Sequence, residues 1–509
     1  MKTIARFTIA CVAAGLLAAV PPVAAEELSD RIERMEHELQ ELKQQLTAEK
    51  AARQEQEQAA AEEKKKEEKQ PSGVSELADR VKVGGYGSMR FEASDLADQK
   101  NSFVFRRFVL TTDANIAPRL RANFELEFER FRKLEVEKSY TPGTAEQGIE
   151  ATDNSEISLE QAWLQYDLSS WLRLRTGAIL VPLGRFNIAH DDNRWDLPRR
   201  SLVDRGVPVL PSTAAWDEVG LGFNGDIDLS EEALLGYQVY VMNGVALDSE
   251  FEQKIEGDNP PNVVSEVKLS PSTGGFATDV KDSKAIAGRI ALSPRLGQEI
   301  AGSWYYGQYT PDFLGNQDLW SVAADGLTTH GPFELEGEGV FTRFEGTPQV
   351  AAELARVAID QSRQSSDPGV TSEAEFELSN LARNKYGYWL EARYRFWPEF
   401  LNRTVLGQPF ANPQLSAVVR GEQVWLDDLV NEVDFGGGTL TTFDTSNRRV
   451  DRFTVGLAYR PVPLVVFQLA YEYTQTNNDQ SLAGVTNYLP ARPHESSVNT
   501  VMLGTAFGF

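Results

Sequence analysis

The chain has 509 residues, 41% hydrophobic and 25% charged, with 75 acidic against 50 basic residues and a formal net charge of −25. One cysteine excludes a disulfide scaffold, and this apolar content excludes a collagenous or wholly disordered chain. The acidic balance argues against nucleic acid as a partner, since phosphate binding needs clustered Lys and Arg, and beyond residue 25 no run of ~18 apolar residues offers a membrane-spanning helix.

Lys2 and Arg6 precede an apolar run from Phe7 to Val20, and Val23-Ala24-Ala25 then supplies small residues for processing. The pattern predicts a signal peptide over 1–25, cleaved after Ala25, with Cys11 too early in the run for a lipoprotein box. Leu28, Ile32, Met35, Leu39, Leu42 and Leu46 follow with alternating spacings of four and three, the seam of a heptad helix. The reading is a coiled-coil helix over 26–62. Lys64-Lys65-Lys66 and Pro71-Ser72-Gly73 mark a polar linker over 63–78.

From residue 79 the hydrophobic period becomes two. Leu120, Ala122, Phe124, Leu126 and Phe128 alternate with Arg121, Asn123, Glu125, Glu127 and Glu129, which is a strand with one apolar face. Sixteen segments are expected, at 81–91, 103–116, 119–132, 157–168, 172–185, 216–228, 234–245, 285–294, 298–309, 319–330, 333–346, 386–396, 413–426, 449–461, 463–476 and 496–509; several, such as 216–228 and 319–330, alternate poorly and are placed by spacing. Connections after even-numbered segments are mostly short. Those after odd-numbered ones, such as 133–156, 186–215, 246–284, 347–385, 427–448 and 477–495, are mostly long. Short turns at one end and long loops at the other are the pattern of an outer-membrane barrel. The C-terminal Phe509, on a face with Val501, Leu503 and Phe507, fits the same reading. The expected fold is all-β: a sixteen-stranded antiparallel transmembrane β-barrel over 79–509, behind an N-terminal coiled coil that lies in the periplasm.

With the apolar face toward lipid, the alternate face points into a water-filled lumen. That face carries Arg121, Arg173, Arg175, Arg393, Arg395, Arg420 and Arg452 beside Glu125, Glu127, Glu129, Glu391, Glu422 and Glu472. The 186–215 connection holds four arginines and four aspartates interleaved with Trp, Leu, Val and Pro. Such a composition suits a loop folded inside the barrel, its charges aimed at the pore or paired against the wall. Guanidinium forks suit phosphate and carboxylate, and basic side chains at a constriction favour anions.

Gly177-Ala178-Ile179-Leu180-Val181-Pro182-Leu183-Gly184-Arg185-Phe186, Arg199-Arg200-Ser201-Leu202-Val203, Trp216-Asp217-Glu218-Val219-Gly220-Leu221 and Phe103-Val104-Phe105-Arg106-Arg107-Phe108 resemble the phosphate-selective porin O and P family. The resemblance implies a trimeric sixteen-stranded porin with an inward-folded third loop. It also implies Arg185, Arg194, Arg199, Arg200 and Arg205 as pore-constriction residues. The heptad segment resembles that of the family's dicarboxylate-channel relatives. The 186–215 loop lacks the lysine of strongly phosphate-selective members.

No catalytic set is legible. The histidines at 37, 190, 330 and 494 are scattered without paired metal-ligand spacing, and Gly436-Gly437-Gly438 opens no helix. Asp191-Asp192 suits calcium or, better, partnership with the barrel wall. The expectation is a channel for small anionic solutes, without enzyme activity, metal or cofactor. Its partners are outer-membrane lipid, two further copies in a homotrimer, and peptidoglycan or another envelope layer through the coiled coil. A barrel that only anchors the coiled coil, and a weakly selective general porin, are the alternatives.

Overall fold

The computed structural model describes residues 80–509 apart from 97–99, 131–133, 142–143, 152–155, 205–208, 213–214, 257–261, 273–275, 277–278, 280, 366–370, 379–381, 437–438 and 478–495. The signal peptide with its cleavage after Ala25, the helix at 26–62, the linker and Arg205 lie outside the described residues.

Sixteen strands close into one barrel. They are β1 (Val81–Ser94), β2 (Ser102–Ala117), β3 (Leu120–Glu129), β4 (Glu156–Ser169), β5 (Leu172–Leu180), β6 (Asp217–Asp228), β7 (Leu234–Met242) and β8 (Ala285–Ser293). The second half comprises β9 (Gln298–Gln308), β10 (Asp318–His330), β11 (Phe333–Phe344), β12 (Ala382–Phe396), β13 (Gln414–Gly436), β14 (Thr439–Val462), β15 (Val465–Thr476) and β16 (Ser497–Gly508). Each pairs antiparallel with its neighbour in this order, and β1 closes on β16 from Tyr86 opposite Gly508 to Ser94 opposite Thr500. Every one of the sixteen segments expected from the sequence corresponds to a barrel strand, those placed by spacing included. Closure leaves the barrel no unpaired edge strand.

The alternation has a direct physical meaning in the barrel. On β3, Phe124 and Leu126 are exposed on the outside, whereas Glu125, Glu127 and Glu129 are buried on the inside. On β16, Val501, Leu503 and Phe507 are exposed, while Val498, Thr500, Met502 and Ala506 are buried. An exterior this apolar is stable only against a non-aqueous phase. Aromatic rings edge the band on one wall. Trp320, Phe341, Tyr386 and Trp425 form a chain of ring contacts near the long-loop end, and Phe333, Tyr394 and Phe396 form another near the short-turn end. Along β11 the two rows are separated by the run from Phe333 to Phe341, about 26 Å at ~3.3 Å per residue. At a strand tilt of ~40° this is roughly 20 Å of height, somewhat below the ~25 Å of a lipid-facing band between aromatic girdles.

Connections 118–119, 170–171, 331–332 and 463–464 are tight turns at one end, where both barrel termini also lie. The stretches 133–156, 246–284, 347–385 and 427–448, expected as loops, hold further structure. Leu134–Thr141 and Thr144–Ala151 form a hairpin, and Ala246–Glu256, Asn262–Ser272 and Thr371–Leu378 form a three-stranded sheet with one parallel pair. Thr347–Ser365 is a helix whose Val350, Ala351 and Leu354 are buried. Strands β13 and β14 continue well past 426 as one long hairpin, with register irregularities between Leu426 and Leu429 and between Val430 and Glu432.

The main apolar core lies within the barrel. Val181, Leu183, Phe186, Trp195, Leu202, Val203, Val209, Leu210 and Trp216, all from the β5–β6 connection, join wall residues such as Tyr240, Tyr305, Val340 and Trp389 in one buried cluster. Each large apolar side chain buried this way contributes about 2 kcal/mol to docking of the connection.

Candidate functional site

The β5–β6 connection, residues 181–216, is positioned first by its own backbone. Gly184 has φ 71°, a left-handed conformation that a Cβ would strain, and an added Cβ would lie 2.4 Å from Glu338 Oε1. The Gly184 N–H donates to Ser303 Oγ at 3.0 Å, while Glu338 of β11 accepts the N–H groups of Arg185 at 2.9 Å and Phe186 at 2.8 Å. The carboxylate thus serves two N–H groups at the start of the short helix Arg185–Ile188. Asn187 closes the base of the connection, donating to the carbonyls of Val181 and Trp216 and accepting the N–H of Trp216.

Asp192 ties the connection to β1 and β2. Ser88 Oγ donates to it at 2.6 Å, and the guanidinium nitrogens of Arg106, Arg107 and Arg200 lie 3.5, 3.5 and 3.7 Å away. A bulge makes this possible. The β1–β2 register steps from Ser88 opposite Arg107 to Met89 opposite Phe105, so Arg106 is the extra residue and both arginines are buried. Burial alone would raise the Asp192 pKa, but Arg107, Arg106, Arg200 and the Ser88 hydroxyl hold it far below the usual carboxylate range.

The far side of the connection meets β12 to β15. Phe186 stacks on Trp195 at 4.5 Å, and both meet Trp389 of β12 edge-on. The guanidiniums of Arg393 and Arg420 sit over the Trp195 ring at 5.4 and 5.5 Å. Arg420 also donates to the Arg199 carbonyl, Glu422 accepts the Leu202 N–H, Gln468 donates to the Trp195 carbonyl, and Arg460 pairs with Asp196 at 2.8 Å. The segment therefore touches the inner faces of walls on both sides of the barrel.

The arginines singled out from the sequence divide by their surroundings. Arg199 bridges Glu92 and Glu472, each at 3.1 Å, and Arg200 lies between Asp192 and Asp204. Arg185 pairs with Glu299 at 2.8 Å and with Glu336. Arg194 differs: its side chain is 61% exposed, with Asp191 at 3.3 Å. On the wall, Arg173 pairs with Asp226 at 2.8 Å, and Arg175 stacks over Trp163 at 4.1 Å and donates to Gln165. Arg393, Arg395 and Arg420 interlock with Glu334, Glu336 and Glu391, while Arg452 faces Glu472 at 3.4 Å. Arg121 is exposed next to the β2–β3 turn. Much of the basic inner face is thus neutralised by inward glutamates on the same and neighbouring strands.

Two water-accessible cavities border the segment, of about 900 Å³ on the side of the 397–413 connection and about 390 Å³ against β5 to β9. Arg194 lines both. Together their walls carry seven arginines against four acidic residues, a local positive excess in a chain of net charge −25. Two of those arginines, Arg289 and Arg460, were not among the sequence candidates. Arg289 was findable, as the one charge on the inward face of β8 with Ala285, Ala287 and Ala291. Arg460, beside Pro461 at a strand end, had no comparable signal.

His190 is buried against Glu160 of β4. Burial works against its charge, yet Glu160 and Asp191 overcome this and raise its pKa to about 9. Its Nδ1 lies 2.8 Å from the Asn187 carbonyl.

No family profile matches the chain. It is 23% identical over 405 residues to an uncharacterized protein of Aquifex aeolicus (strain VF5), covering 79% of this chain and 77% of that one. Among solved structures it is similar to the outer membrane channel DcaP of Acinetobacter baumannii, with a TM-score of 0.43, 10% identity, and 84% of this chain and 97% of that chain covered. It is also similar to an anion-selective porin from Comamonas acidovorans, with a TM-score of 0.45, 11% identity, and coverage of 84% and 99%. Salmonella typhi OmpF in complex with daunomycin gives a TM-score of 0.47, 11% identity, and coverage of 84% and 97%.

Proposed function

We propose that the chain is an outer-membrane porin through which small anionic solutes, phosphate or carboxylates, diffuse passively past a constriction made by residues 181–216. The observation that carries this reading is Arg194: solvent-exposed, and shared by two cavities whose linings hold more arginine than acid. A cation fixed at a narrow point raises local anion concentration and favours anion passage. The apolar exterior and its aromatic rows support insertion in a bilayer.

Within this reading Arg194 is the residue that meets the solute, while Arg289, held by Asp325 and Glu299, and Arg460, held by Asp196, line the cavities as paired charges. Arg199 and Arg200, with their carboxylate partners, hold the constriction in place. Arg185 does both, touching Glu336 and lining the smaller cavity. The homotrimer, the signal peptide with cleavage after Ala25 and an envelope contact through the 26–62 helix belong to the same proposal. Molecular mass in detergent and the N-terminal sequence of the exported protein test the first two.

The direct test is current through purified protein in a planar bilayer. Phosphate or a dicarboxylate added to a chloride solution reduces the chloride current, and Arg194→Ala weakens that block. Conductance without any block marks a weakly selective pore. Absence of conductance marks a barrel that only anchors the envelope.

A further inference from the structure

We propose that Glu125 of β3, Glu160 of β4, and His190 and Asp191 of the 181–216 segment form a site for one divalent metal ion of the zinc type, clamping the segment to the barrel wall. His190 Nε2 lies 3.5 Å from Glu160 Oε2 and 3.8 Å from Asp191 Oδ1. Glu125, His190 and Asp191 each offer one ligand atom, all within 4.8 Å of one another. Ligands bound at ~2.1 Å to a tetrahedral zinc ion are separated by ~3.4 Å, so Glu125, His190 and Asp191 close around an ion with a contraction of at most ~1.4 Å, and Glu160 reaches it from beside His190 Nε2.

Two further observations point to a ligand rather than to an ordinary ion pair. His190 and Glu160 are 2% and 5% exposed, and neither His190 Nε2 nor Glu160 Oε2 has a hydrogen-bond partner. At 3.5 Å the His190–Glu160 pair is longer than a close N–H···O bond of ~2.7–3.2 Å, a spacing that two ligands of one ion also take. Moreover, Nδ1 is placed to donate to the Asn187 carbonyl, which orients the ring so that Nε2 faces the carboxylates and can ligate once an ion displaces its proton. That outer contact is the usual companion of a metal-binding imidazole.

The donor chemistry selects the ion. One imidazole nitrogen with carboxylate oxygens suits zinc and its neighbours, whereas calcium prefers ~6–8 oxygens. No sequence spacing announced the group, because its members come from two strands and a connection. Asp191 uses its other oxygen, Oδ2, toward Arg194 at 3.3 Å, so the same carboxylate that would hold the ion also positions the exposed arginine. The metal site stands whether or not the channel selects anions.

The test uses the full-length barrel in detergent, stripped with chelator, desalted and titrated calorimetrically with Zn²⁺, with bound metal counted after gel filtration. The expected result is one Zn²⁺ per chain, held against excess Mg²⁺ and Ca²⁺, with affinity reduced about tenfold or more in His190→Gln and in Glu125→Gln. Heat-shifted electrophoretic mobility verifies that each variant barrel is folded. If His190→Gln does not fold, the near-isosteric Glu125→Gln decides alone. Fewer than one Zn²⁺ per five wild-type chains overturns the proposal. So does Zn²⁺ binding that is unchanged in the folded variants, which places the ion elsewhere.

Discussion

Replacing Asp192 with asparagine removes one negative charge from the contact that holds the 181–216 segment on β1 and β2, at nearly constant volume. Arg106, Arg107 and Arg200 have side chains only 7%, 0% and 4% exposed, and each has a nitrogen within 3.7 Å of the Asp192 carboxylate. Breaking a buried charge pair costs about 3–5 kcal/mol because the remaining charge is left buried. Asparagine can still accept the Ser88 hydroxyl, and the guanidinium contacts are long, so the lower figure of about 3 kcal/mol applies. At 1.4 kcal/mol per factor of ten, this raises the undocked population of the segment about a hundredfold. Ser201, 0% exposed, reports it. With Cys11, the only native cysteine, changed to serine, a Ser201→Cys chain is modified by a small water-soluble thiol reagent only when the segment opens. When opening and closing are fast relative to modification, the rate follows the open population. Adding Asp192→Asn is expected to accelerate modification about a hundredfold. A change of less than threefold refutes Asp192 as the anchor.

Three further outcomes follow from the same geometry. Arg194→Glu should move the reversal potential toward cations, whereas Arg200→Ala should leave its sign unchanged while accelerating Ser201→Cys modification; both are read on the same purified protein. Gly184→Ala should destabilise docking by about 1–2 kcal/mol, from left-handed strain plus displacement of Glu338, and raise the modification rate roughly tenfold. Leu503→Arg, on the outer face of β16, should lower barrel stability in lipid vesicles by about 2–4 kcal/mol, measured by urea unfolding. A change under ~0.5 kcal/mol, usual for a water-facing surface position, would contradict a lipid-facing exterior.

The barrel was legible because a lipid-facing wall puts an apolar residue at every second position of many of its strands, and the spacing of turns and long loops placed the rest. Leu120 to Glu129 carries that signature directly, whereas on Val498 to Phe507 the inward Val498, Met502 and Ala506 are apolar too. Leu134–Thr141 and Asn262–Ser272 belong to sheets apart from the barrel, within stretches read from the sequence as long loops. The helix Thr347–Ser365 left a helical signal in Val350, Ala351 and Leu354, the residues it buries, inside a stretch read as loop. The site was half legible. The mixed charge and apolar content of 186–215 pointed to a segment packed within the barrel. Which arginines stay open depends on partners far away in sequence, Glu92, Glu299, Glu336 and Glu472. The Arg106 bulge, which places two adjacent arginines on one aspartate, leaves no trace beyond the broken alternation of Phe105-Arg106-Arg107-Phe108.

The central claim is that exposed arginine on the 181–216 segment makes the barrel anion-selective despite its acidic composition. The measurement that tests it most directly is the zero-current potential of the purified wild-type channel under a tenfold potassium chloride gradient. The account predicts an anion-signed potential that falls toward zero in Arg194→Ala. A cation-signed potential in the wild type contradicts it.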